Sequence, residues 1–381
     1  MNFDTYMMGN KESNMQLLKQ ELLKSVLESA LNMDEKEKIN RAISCSGGKT
    51  TASRYGLDQE ILFADSELIS AYERSEGRAE YLKYRYDFKY YPMKQELKDF
   101  PLVVAVEASG CCNLRCSMCF QKNMDKNKSA ENERIMEWDT YQKFLDELDD
   151  NTLYSIVFAS RGEPLLNPHI GKMIKAAKEK GVMDIKLNSN GTLLTEEKSR
   201  ELLESGLDLL VFSVDSVVPE NYKKIRGADL EHVLYNIDRF IEIKKTEYPE
   251  SKMKVRVAMV LTNDMKDVQE GEVKKAQEYW DGRVEELSIK TENNFAAVYE
   301  RGEKTCPRKA CSLLWERVYL WSDGSVNPCD IDHLSTMNVG NINKGDTIKS
   351  LWNGYKMQAL RDLHQCHREN IDTVCMNCIG Y

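Results

Sequence analysis

From residue 101 onward, short β-rich runs alternate with helical stretches, and this alternation restricts the fold more than any other feature. The runs are LVVAVEAS (102–109), YSIVFAS (154–160), DIKLNSN (184–190), LLVFSVD (209–215), KVRVAMVL (254–261) and EELSIK (285–290). Helical patterns follow near 138–148, 170–180, 195–204, 229–246 and 265–280. Repeated β–α units predict a parallel sheet, which an open sheet and an incomplete barrel satisfy equally. Within each run one parity is apolar. The other carries polar residues: Glu107, Arg161, Lys186, Asn188, Asn190, Ser213, Asp215, Arg256, Ser288 and Lys290. A filled barrel interior would be mostly Val, Ile and Leu, and crossover helices cover the remaining surfaces. The polar parity therefore predicts a ligand cavity near the C-terminal ends of the strands.

The first hundred residues read as helical. Ser13 with Gln16 makes a capping box, and Leu17, Leu18, Leu22, Val26 and Leu27 recur at helical spacing. A second helical stretch covers 57–74. The intervening CSGGKTTASRYG contains GGKT, but Ile43 stands where a phosphate loop needs glycine, and no strand precedes it. A plain loop is expected there. Net charge is −9, which disfavours a bulk nucleic-acid binder. No apolar run approaches a bilayer span, and the first residues hold no apolar signal core, so a cytoplasmic protein is expected.

Eleven cysteines are unusual for such a chain. In a reducing compartment, clustered thiols hold metal or do redox chemistry rather than form a disulfide framework. They fall into two groups flanking the cysteine-free residues 120–305, which suggests two metal sites. The first group, GCCNLRCSMCFQ, follows the first strand and sets Cys112, Cys116 and Cys119 at C-x3-C-x2-C. Three thiolates on so short a loop can meet one small cluster and leave a 4Fe–4S centre with one open iron.

C-x3-C-x2-C after strand one resembles the signature of the radical S-adenosylmethionine (SAM) superfamily. Arg161-Gly162-Glu163-Pro164 is similar to its GGEP, Asn188-Ser189-Asn190-Gly191 to its TNG, and FSVDS (212–216) to its SxD, with YKKIRG (222–227) following. The match spans about 100–300. Two departures are Arg161 for the first glycine of GGE and Met118 for the usual aromatic before the third cysteine. The resemblance implies a partial (β/α)6 TIM-like barrel in which Cys112, Cys116 and Cys119 hold three irons and SAM chelates the fourth. Backbone around Gly162 and Glu163 would meet the SAM amino group. Asn188 and Ser213 would contact ribose or carboxylate, with Arg226 a further candidate for the carboxylate. It also implies reductive cleavage of SAM to a 5′-deoxyadenosyl radical, fed by a donor such as flavodoxin or ferredoxin. Cys111 is a bystander, since using it in place of Cys112 would put Arg115 at a ligand position.

The second group comprises Cys306, Cys311, Cys329, Cys366, Cys375 and Cys378. Cys311-x12-Gly324-x4-Cys329 resembles the opening of the auxiliary-cluster domain called SPASM, or twitch in its short form. WSDGSVNPC reads as a β-hairpin turning at Asp323-Gly324. The resemblance implies one auxiliary 4Fe–4S cluster on Cys311, Cys329, Cys375 and Cys378. With no open iron, its role would be electron transfer. Cys306 is an alternative to Cys311. Cys366 with His364, His367, Cys375 and Cys378 also resembles a zinc knuckle. The expected division is a helical extension (1–100), a radical SAM core (101–300) and a small auxiliary domain of hairpin and helix (301–381).

For the reaction, the cysteine spacings resemble those of radical SAM alcohol dehydrogenases of aminocyclitol biosynthesis. The implied chemistry is oxidation of a secondary alcohol of a sugar or aminocyclitol to a ketone, with Lys290 and Glu292 candidates for proton loss. A radical epimerase using Cys306 or Cys366 as hydrogen donor, and a peptide- or protein-modifying enzyme, are the alternatives.

Overall fold

A computed structural model describes residues 11–46, 61–123, 134–263, 269–292, 299, 309–366 and 371–378. The chain forms two units, 1–98 and 99–381. The first contains α1 (Lys11–Glu28), α2 (Met33–Cys45), α3 (Asp65–Tyr72) and α4 (Arg78–Lys94). Leu18, Leu22 and Val26 of α1 are buried, as the helical period requires, whereas Leu17 and Leu27 are exposed. Among the described residues the helix runs from Lys11, which places Ser13 inside it. The capping box lies instead at α2, where Asn32 Oδ1 accepts from Glu35 N–H (2.9 Å) and Glu35 Oε2 from Asn32 N–H (3.1 Å). The helix expected over 57–74 is confined to α3 among the described residues, and GGKT lies outside them.

The second unit holds, in chain order, β1 (Val103–Val106), α5 (Trp138–Asp146), β2 (Ser155–Phe158), α6 (Ile170–Glu179), β3 (Asp184–Ser189), α7 (Glu196–Glu204), β4 (Leu209–Ser213), α8 (Pro219–Arg226), α9 (Leu230–Glu247), β5 (Lys254–Leu261), α10 (Gln269–Trp280), β6 (Glu286–Thr291), β7 (Arg317–Leu320), β8 (Ser325–Asn327), β9 (Gly340–Asn341), α11 (Ile348–Trp352) and α12 (Tyr355–Cys366). All six expected runs carry strands, paired in parallel in sequence order. The sheet order is β6-β5-β4-β3-β2-β1-β7-β8-β9, with β6 and β9 at its two edges. This is an incomplete barrel. The expected hairpin is present and extends the same sheet: β7 pairs in parallel with β1, Val103 opposite Arg317, and β8 returns antiparallel. Gly324 turns it at φ 84°, and a Cβ there would meet Asn343 Nδ2 at 2.6 Å.

One face of each of β1–β5 is sealed. Val104, Val106, Ile156, Phe158, Ile185, Leu187, Leu210, Phe212, Val255 and Val257 are buried in one apolar core. It also takes in Phe144, Ile174, Leu202, Ile237, Phe240 and Trp280 of the helices. Strands β3 and β5 show the resulting alternation of buried and partly buried residues. The polar parity thus faces the lumen.

Candidate functional site

Loops at the C-terminal ends of β1–β4 enclose a cavity of about 320 Å³. Cys112, Cys116 and Cys119 line it together with Gly162, Asn188 and Ser213. The cysteine loop is tied down on several sides. Ser117 N–H donates to Ile225 O (2.7 Å) at the end of α8, and Asn113 joins Asn190 and Thr192 at 3.0 and 2.7 Å. Gln121 Nε2 donates to Gly110 O (3.0 Å). Glycine at 162 is required by close approach: a Cβ there would stand 2.2 Å from Ser109 O and 2.3 Å from Cys111 O, both backbone atoms.

Glu163 is buried and fully engaged. Its Oε1 accepts from Leu165 N–H (3.1 Å) and the Ser189 hydroxyl (2.8 Å), and Oε2 from Asn190 N–H (2.7 Å). Burial raises its pKa against these bonds. The side chain therefore clamps the turn after β2 to the turn after β3, leaving backbone to face the cavity. Arg226 is held by Asp215, Nε to Oδ2 at 2.5 Å, and its Nη1 lies 3.7 Å from Cys116 Sγ. Arg161 is paired with Glu107 at 2.5 and 2.8 Å and lies over the Trp321 ring at 4.3 Å. Four of the polar residues expected to serve a ligand are thus engaged with one another, because buried charges need partners. Asn188 is different: its Oδ1 is buried with no hydrogen-bond partner among the described residues. So is Ser160 Oγ, on a residue held at φ 114°.

The donor chemistry fits an iron–sulfur group. Burial pushes the Cys112 thiol up to about 11 and raises Cys116 and Cys119, the Arg226 guanidinium opposing it at Cys116. Such thiols ionise when a metal supplies the positive charge. Asn188 Oδ1 is an acceptor awaiting a donor, as the ligand face of such a site would present. Among the described residues no three His, Cys, Asp or Glu side chains converge on one ion. In a cluster, each thiolate instead takes its own iron.

Cys311, Cys329, Cys375 and Cys378 also come together. Cys329 and Cys378 pack with Ile331, Val374, Tyr299 and Met337, and Cys375 Sγ lies 3.9 Å from Met337 Sδ. Burial pushes Cys311 up to about 12 and Cys375 to about 11, and Cys329 rises well above its ordinary value. The thiolates add to this mutually: Cys375 and Cys378 act on Cys311, and Cys311 and Cys375 on Cys329. His364 is buried and its Nδ1 accepts from Cys311 N–H (3.3 Å), whereas Cys366 is exposed at the end of α12. Cys306 and His367 lie outside the described residues. Lys290 is exposed on β6 and Glu292 accepts from Asn263 N–H (2.7 Å); neither lines the cavity.

The two thiol groups share a wall. Asp330 and Ile331, directly after Cys329, line the first cavity. Phe120, directly after Cys119, stacks on His333 with centroids 4.3 Å apart. No motif announced these contacts. They depend on β7 lying against β1.

Residues 106–270 match the radical SAM superfamily, and residues 311–379 match SPASM, an iron–sulfur cluster-binding domain. The tungsten-containing aldehyde ferredoxin oxidoreductase cofactor-modifying protein of Pyrococcus furiosus is 32% identical over 164 residues, 42% of this chain and 43% of that one. A probable GTP 3′,8-cyclase of Methanococcus maripaludis is 31% identical over 153 residues, 40% of this chain and 48% of that one. The chain thus spans about half the length of these curated relatives. In fold it resembles BtrN, crystallised with AdoMet and 2-DOIA, at 17% identity and a TM-score of 0.50, covering 73% of this chain and 93% of that one. Among the described residues no helix is long and apolar enough to cross a membrane. Matched in sequence through both cysteine-bearing segments, and in fold over most of its length, the chain belongs to the radical SAM superfamily and carries a SPASM iron–sulfur domain after its core.

Proposed function

We propose that the protein oxidises a secondary alcohol of a small sugar-like substrate to a ketone, using SAM and two 4Fe–4S clusters. The observation that carries this reading is the shared wall: the loop leaving Cys329 forms part of the cavity lined by Cys112, Cys116 and Cys119. An electron acceptor beside the reacting centre is what an oxidation needs and a redox-neutral epimerisation does not. The relatives, a cofactor-modifying protein and a probable GTP cyclase, support a small molecule over a peptide.

Cys112, Cys116 and Cys119 would hold the first cluster, and Cys311, Cys329, Cys375 and Cys378 the second. When bound, these groups and SAM supply one-electron transfer and hydrogen abstraction from carbon. The chain's own residues orient and enclose. Asn188 and Ser213, both lining the cavity, would contact the ribose or carboxylate of SAM. Backbone at Gly162 and Glu163, fixed by the Glu163 clamp, would meet the SAM amino group. Arg226, immobilised by Asp215, sets a positive charge at Cys116. Leu114, Met118, Phe120 and Ile331 supply apolar wall and exclude water. Lys290 and Cys366 have no part in this reading.

Anaerobic reconstitution with iron counting and product analysis tests it. Two clusters require about eight irons per chain, and oxidation requires one 5′-deoxyadenosine per ketone. Solvent hydrogen in an unoxidised product would replace oxidation by epimerisation.

A further inference from the structure

The lumen face of the sheet carries cations that the cofactor reading leaves unused. Lys186 stands on β3 two residues before Asn188, so both side chains share a face. Register carries that face across the sheet. Asn188 pairs with Val211, and Val211 with Arg256 of β5. Ala258 pairs with Ser288 and Val260 with Lys290 of β6. In the other direction Lys186 pairs with Val157, Val157 with Ala105, and Ala105 with Tyr319, two residues beyond Arg317 on β7. Strands β3 and β7 are three positions apart, roughly 14 Å in a flat sheet. The charges of Arg256, Arg317 and Lys290 nevertheless all bear on the Lys186 ammonium. By register these side chains share the lumen face of the incomplete barrel.

They are not equally satisfied. Arg317 is paired with Glu316, and Arg256 Nη2 with Glu286 Oε2 at 2.5 Å. Lys290 is exposed at the rim. Lys186 is partly buried and makes no hydrogen bond or ion pair among the described residues; Asp184 is the carboxylate whose charge favours it. Arg256 Nε is buried with no partner among the described residues. Burial first, and then the three cations, push Lys186 down to about 8. An unpartnered ammonium facing other cations destabilises a fold, and a bound anion removes that strain. The position adjoins the cavity through Asn188, two residues further along β3 from Lys186. Asn188 lines the cavity, and so does Asp330, whose charge bears on Arg317.

We propose that Lys186 and Arg256 Nε receive an anionic group of the substrate, a carboxylate or phosphate, so that the substrate is a sugar acid or sugar phosphate rather than an aminocyclitol. A protonated amine would meet like charges in this lumen. The inference rests on the small-molecule reading above and narrows it.

The test uses the reconstituted full-length holoenzyme and calorimetric binding of four probes: inorganic phosphate, glucose 6-phosphate, glucuronate and glucose. The expected result is saturable binding of phosphate and of at least one anionic sugar, weakened by salt. Lys186→Met should weaken anion binding about tenfold or more, and Lys186→Arg should restore most of it. SAM affinity should be unchanged in both variants. Lys186→Met should also unfold at an equal or higher denaturant concentration than the parent, which separates a ligand role from a structural one. No phosphate binding, equal binding by Lys186→Met, or tighter binding of glucose than of either anion overturns the proposal. A tenfold loss of SAM affinity in Lys186→Met also overturns it, assigning Lys186 to the SAM carboxylate. Ketone analysis is a separate assay. Anion binding without ketone would sink the oxidation and leave the subsite standing.

Discussion

At the residue scale, the cavity depends on positions where no neighbour can yield. A methyl group at Gly162 would collide with two backbone carbonyls. Gly162→Ala should therefore destabilise the protein by about 1–3 kcal/mol and lower iron retention at the first site, checked by denaturation and iron counting. Arg161 departs from the family pattern, and the structure gives the reason. Glu107 is completely buried and accepts from Arg161, from the Ser322 hydroxyl (2.8 Å) and from Ser322 N–H (3.2 Å). Restoring the family's glycine with Arg161→Gly would strand that carboxylate and cost about 3–5 kcal/mol. Adding Glu107→Gln should recover part of the loss, as a urea denaturation series would show. Lys186 gives a pH signature. Its folded pKa of about 8 lies below the ordinary 10.5, so across that window the unfolded chain holds the proton more often than the folded one. Its contribution to stability therefore rises with pH from about 8 to 10.5. The pH dependence of the denaturation midpoint should flatten over the same range in Lys186→Met.

At the scale of elements, the parallel sheet was legible because each strand-and-helix unit is written in contiguous residues. The cysteine trio was legible for the same reason, since its ligand spacing is local. β7 was not read as part of this sheet. RVYL opens a hairpin in the sequence, and nothing nearby says that its outer edge joins β1. The consequences reach the site: Asp330, Ile331 and the His333–Phe120 stack were missed because they follow from that pairing. The reading also overestimated the amphipathic face of α1 and the length of α3, where apolar residues recur without all turning inward. A physical prediction follows. A chain ending at Ala310 would bare the edge of β1 and open its apolar core. It should aggregate, or lose amide-exchange protection in β1, rather than survive as a free-standing barrel.

For the whole molecule, two clusters in one compact unit should be separable by chemistry but not by folding. Replacing Cys112, Cys116 and Cys119 together by alanine should halve the iron from about eight to about four per chain and abolish SAM cleavage. The brown colour of the second centre should remain. The wall built by Asp330 and Ile331 also fixes an order of events during synthesis. Those residues leave the ribosome long after the first cysteine trio, so the chamber around that trio stays unsealed while translation continues. Reactivity that depends on enclosure is thereby withheld from the unfinished polypeptide.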